Sequence, residues 1–179
     1  MSDEEDKYIK QAESDQIARV RRERQLEALR REEREGIADV LQTSQEIAAE
    51  AMDLGFDRET SRILHLVPLI QMAWADGEVQ DDERARVLQA SHDRGITRGS
   101  AAHEFLELLL DQRPSDLFFE RTNTVIAHLL KQDPTGREAH DLIEHAKSVA
   151  TAAGGFFGLG KVSADEQALI EDLKDLFEK

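Results

Sequence analysis

Five carboxylates fall in one short run, Trp74-Ala75-Asp76-Gly77-Glu78-Val79-Gln80-Asp81-Asp82-Glu83, and Asp76, Glu78, Asp82 and Glu83 are the candidate ligands among them. Oxygen ligands of this kind suit a hard divalent cation such as Ca²⁺, Mg²⁺ or Mn²⁺, whereas Zn²⁺ would ask for histidine as well. The same residues also have a plainer use. Gly77 can take the left-handed conformation that ends a helix, and acidic residues suit the first turn of the next one. An apolar helical run (Ile63 to Trp74) enters the joint and a charged amphipathic run (Asp81 to His92) leaves it. The run therefore reads either as a cation site built on a helix-turn-helix joint or as the joint alone.

The spacing limits the first reading. Gly77, Val79 and Glu83 match the second half of a calcium-loop pattern, but the first two ligand positions would fall on Met72 and Trp74, which cannot ligate. The run is not an EF-hand. It does recur: Gly77, Val79, Asp82 and Glu83 return as Gly160, Val162, Asp165 and Glu166. Leu159 stands where the first joint has Asp76, so the second joint offers turn and cap chemistry without a preformed site. Ser163 with Glu166 has capping-box spacing.

Other constellations are weaker. Gly155, Gly160 and Lys161 spell a phosphate-loop pattern. Val162 follows the lysine where Ser or Thr is needed, a helical pattern precedes it, and Phe156 and Phe157 fill the expected polar cradle, so nucleotide binding is rejected. Phe156 and Phe157 read as a loop folded on the core or as a docking surface for a partner or membrane. None of the six histidines has an acid three residues before it, so the di-iron bundle pattern is missing. His140 with Glu144 and Asp141 with His145 are helical neighbours better suited to local pairing. His65 and His128 sit in apolar stretches as core or boundary residues. No nucleophile has a sequence-readable base, and no catalytic residue is assigned.

The elements that position the joint follow from periodicity. The chain has 179 residues, 40% hydrophobic and 34% charged, with a formal net charge of −15 and no cysteine. A charge of that sign disfavours nucleic acid, and the missing cysteines exclude disulfides and thiolate metal sites. No run approaches the roughly 20 apolar residues of a membrane span. The acidic start, Met1 to Asp6, does not read as a signal peptide, and the expected compartment is the cytoplasm. Residues 1–36 read as a charged helical extension without a sustained apolar heptad, a candidate for self-association or partner docking. From Ile37, a core-facing stripe (Ile37, Val40, Leu41, Ser44, Ile47, Ala48, Ala51) predicts a helix closed at Leu54-Gly55. A second helix is predicted over 58–75, capped by Asp57, kinked at Pro68 and buried all round. Five further helical patterns follow, and no convincing strand. The fold class is all-α: a compact bundle of about seven helices over residues 37–179, with a pseudo-twofold repeat, plus the extension.

At these residues the sequence resembles the TerB-like family, the helical domain of the tellurite-resistance protein TerB, which also occurs in the N-terminal regions of some DnaJ-like membrane-associated co-chaperones. Met72 to Val79 and Glu83 carry the likeness, with Gly154 to Ser163 and Glu166. It covers about residues 37–179. The resemblance implies a helical fold of pseudo-twofold character and a divalent metal at the acidic joint, singling out Asp76 and Glu83 with Glu78 and Asp82 in support. No His-Pro-Asp tripeptide occurs, so a J-domain is not implied. The expectation is a non-enzymatic, stress-response module in the cytoplasm, docking on a protein partner or at the inner face of the membrane. The alternatives are a structural or oligomerising scaffold without a metal, and last a metal-dependent hydrolase.

Overall fold

The computed structural model describes residues 3–132, 135–153 and 162–178. Among them there is no strand. The elements run α1 (Asp3–Leu41), α2 (Gln45–Asp53), a 3₁₀ helix (Thr60–Leu66), α3 (Val67–Ala73), α4 (Asp81–Asp93), α5 (Ala101–Asp111), α6 (Asp116–Leu130), α7 (Arg137–Ala153) and α8 (Ala164–Phe177). The architecture is all-helical, as periodicity predicts. No helix among the described residues is long and apolar enough to cross a membrane.

The centre of the core is the 3₁₀ helix with α3. Ile63, Leu64, Leu66, Val67, Ile70, Met72 and Ala73 have no exposed surface. Each large side chain of this kind contributes roughly 1.5–3 kcal/mol by burial. The elements α4 and α7 pack on each other, α7 also packs on α3, and α8 lies against α6 and α7. Phe56 joins the layer beyond α2 by edge-to-face packing on Phe105 and stacking on Phe118.

Two local expectations need correction. The segment 58–75 is two elements rather than one kinked helix. Asp57 stands in the turn before it, its carboxylate accepting from Thr60 N at 2.7 Å, while the N-cap position itself is Glu59. The first part is 3₁₀, and Pro68 sits in the opening turn of α3. There it displaces no helical hydrogen bond, so the proline starts a helix instead of bending one. The stripe from Ile37 to Ala51 is likewise divided. Gln42 has φ of +50° and ends α1, and Thr43 N bonds back to Ala38 O at 3.0 Å. Ser44 is the N-cap of α2 and not a core position. At Gly36, α1 runs on into Ile37 as continuous helix, and what changes there is burial. A side chain at Gly36 would press on the stem of Arg58, 2.9 Å from its would-be Cβ. Arg58 N in turn donates to the Glu33 carboxylate, and Arg34 Nε to Gln45 Oε1 at 3.1 Å. These contacts seat the last two turns of α1, and of residues 6–32 all but Ala18 stand exposed.

Candidate metal centre

The joint is built by the end of α3 and the start of α4. Trp74 closes α3, and its indole N–H donates to Leu109 O of α5 at 2.9 Å. Gly77 has φ of +95°, a conformation that costs L-residues strain, and its N–H bonds to Trp74 O at 3.0 Å. The turn places Asp76 Oδ1 to accept from Glu78 N at 3.2 Å, while Asp76 Oδ2 receives the Gln80 amide at 3.5 Å. Gln80 is then the N-cap of α4, extended at ψ 157°. Glu83, in the first turn, reaches back to accept from Gln80 N at 2.9 Å.

Glu83 is 1% exposed. Its carboxyl is pushed up to about 7, first by burial and then by the negative charges of Asp76 and Glu166, against the lowering effect of the Gln80 N–H. Glu166 is the corresponding residue of the second joint. It too is buried, and it accepts from Ser163 N while Ser163 Oγ accepts from Glu166 N at 3.2 Å. Each of the two glutamates thus caps its own helix, and the charge of Glu166 is felt at Glu83.

Of the four carboxylates singled out by sequence, the structure brings Asp76 and Glu83 into electrostatic reach. Glu78 and Asp82 are exposed on the turn and on the first turn of α4. Among the described residues, no group of three or more His, Asp or Glu side chains stands ready-arranged around a cation. Glu166 is the functional candidate that sequence reasoning left as a cap. Its signal was the recurrence of the joint, because two copies of one buried residue in a small bundle can share a core. The Phe156-Phe157 surface and the Gly155–Lys161 pattern lie outside the described residues.

His65 is partly buried in a cleft bordered by Arg94, Glu138 and Asp141. Burial and then the Arg94 charge hold it below the ordinary imidazole range. His128 is exposed and not a core or boundary residue, and it lies 3.7 Å from Glu50 across α2 and α6. His145 Nδ1 meets Asp141 through its backbone carbonyl at 2.6 Å, not through the carboxylate, and Glu144 is drawn to Lys147 at 2.5 Å.

Comparison with protein-family models, curated proteins and solved structures finds no match to this chain.

Proposed function

We propose that this chain is a non-enzymatic, TerB-like helical module of a stress-response system, taking a divalent cation at the acidic joint and engaging a protein or membrane-associated partner. The observation that carries the cation is the gathering of Asp76, Glu83 and Glu166 charge in a region where two of the three side chains are buried. Like charges in a desolvated space repel, and a bound cation removes that repulsion. The donors are carboxylate oxygens without imidazole, a set that fits Mg²⁺, Mn²⁺ or Ca²⁺ better than Zn²⁺. In this reading Asp76 and Glu83 are the principal ligands, Glu166 joins them, and Glu78 and Asp82 draw cations to the mouth. The two joints are then the halves of a pseudo-twofold repeat. Binding expels the proton that Glu83 holds below about pH 7, so affinity rises with pH through that value.

Calorimetric titration of Ca²⁺, Mg²⁺, Mn²⁺ and Zn²⁺ into chelator-stripped protein tests the site. About one ion should bind, Asp76→Asn with Glu83→Gln should abolish binding, and Glu166→Gln should weaken it by at least about tenfold, roughly 1.4 kcal/mol. Binding unchanged in the double variant would remove the assignment. A second reading, a structural scaffold without a metal, is favoured by the use of both glutamates as caps and by the want of a ready-made group of three ligands. It predicts no heat with any of the four ions.

A further inference from the structure

The heptad of α1 is written in charges. Positions separated alternately by four and three residues share one face of a helix. One such row passes through Asp6, Lys10, Glu13, Ile17, Val20, Arg24, Glu27 and Arg31. All eight are exposed. Among the described residues, Lys10, Glu13, Arg24 and Glu27 make no ion pair, and Arg31 pairs with its neighbour Glu35 at 3.7 Å. A shallow hollow opens at the middle of the row, between Glu13, Ile17, Val20 and Arg24. Tyr8, Leu26 and Leu29 are more exposed, but helical spacing puts them on the far side with Arg19 and Arg22 between them.

The row is complementary to itself reversed. Set against a second copy running the other way, with Ile17 of one chain opposite Val20 of the other, it places Glu13 opposite Arg24, Lys10 opposite Glu27 and Asp6 opposite Arg31. Each pair occurs twice by symmetry. In the parallel, in-register arrangement every one of these charges would meet its own kind. The sign reversal follows from the layout of α1, whose first turns are rich in Asp and Glu and whose middle is rich in Arg. We propose that this face of α1 is the interface of an antiparallel homodimer, with two Ile17–Val20 layers at its centre and three opposite-charge pairs on either side. Such an interface is isologous and closes on itself, so assembly stops at two copies. The apolar centre supplies little area, and the charges select orientation and register more than they supply strength.

Sedimentation equilibrium of the full chain at low salt tests the proposal. Mass should rise with concentration toward twice 20.2 kDa. Raising salt to about 0.5 M should weaken association by at least about tenfold, because the pairs are solvent-exposed. Glu13→Arg alone and Arg24→Glu alone should each give monomer, and the two together should restore the dimer. Far-UV circular dichroism of each variant confirms that α1 is intact. A monomer at every concentration overturns the proposal. So does a dimer indifferent to both single reversals, or a doubly reversed chain that stays monomeric with its helix content unchanged.

Discussion

Glu83 does two things that pull in opposite directions. Its carboxylate caps α4 best when charged, and its burial favours the proton. Between its ordinary value of 4.5 and its folded value of about 7, the folded chain holds a proton that the unfolded chain has released. The stability tied to that proton is complete below pH 4.5 and is lost as pH rises through 7, a loss of at most about 3 kcal/mol. Urea unfolding of metal-free protein should therefore show lower stability at about pH 8 than at about pH 5. Glu83→Gln, which can still accept from Gln80 N, should flatten this dependence and be the more stable chain at the higher pH. A second residue makes a cleaner case. Thr122 is fully buried in α6, and its hydroxyl has no hydrogen-bond partner among the described residues. Thr122→Val keeps the shape and removes the desolvated hydroxyl, so it should stabilise the protein by about 1 kcal/mol in the same unfolding measurement. At this scale the sequence displays which residues are acidic and how they are spaced. It does not display that the charge of Glu166 reaches Glu83, because that depends on how α8 packs against α6 and α7 and not on any local pattern.

The elements were largely readable where a cap or breaker marks them. Asp57, Ser100, Ser115 and Ser163 each hold a hydrogen bond to the backbone N–H three residues on. Gly55 and Gly95 close their helices with positive φ. The misreadings share one cause: apolar periodicity continues across a joint that the backbone does not. Ile37 and Ala48 belong to one stripe in sequence and to two helices in space, because Gln42 turns the chain without a glycine to announce it. Pro68 misled in the other direction, since a proline in a helical pattern breaks it only when a full turn precedes it. Gly77 supplies the element-scale prediction. A Cβ there would meet nothing within 4 Å, so Gly77→Ala tests the backbone alone. At φ of +95° the substitution should cost about 1 kcal/mol or somewhat more in denaturant unfolding, while leaving the helix content unchanged.

For the molecule as a whole, α1 and the bundle are one helix-connected chain with two different surfaces. A 39-residue helix is about 58 Å long, and only its last turns, from Glu33 on, are seated against α2 and the 3₁₀ helix. A chain starting at residue 31 should therefore unfold at nearly the same urea concentration as the full chain, within about 0.5 kcal/mol, at dilutions where both are monomeric. A larger loss would mean that the exposed part of α1 supports the bundle. Charge layout and apolar periodicity mark a change at Ile37 in the sequence, and in the structure burial changes there along one continuous helix.

The protein has one tryptophan, and the fold has put it at the hinge between α3 and α4. Trp74 stands two residues before Asp76 and is tethered to α5 by its indole N–H. The chain thus carries an intrinsic optical probe at the acidic joint, far along the sequence from the Ile17–Val20 face. Proton release or cation capture near Glu83 should shift its emission, whereas pairing of two α1 helices should leave the spectrum dark to the event. One fluorescence titration, read beside one measurement of mass, separates what happens at the joint from what happens along the arm.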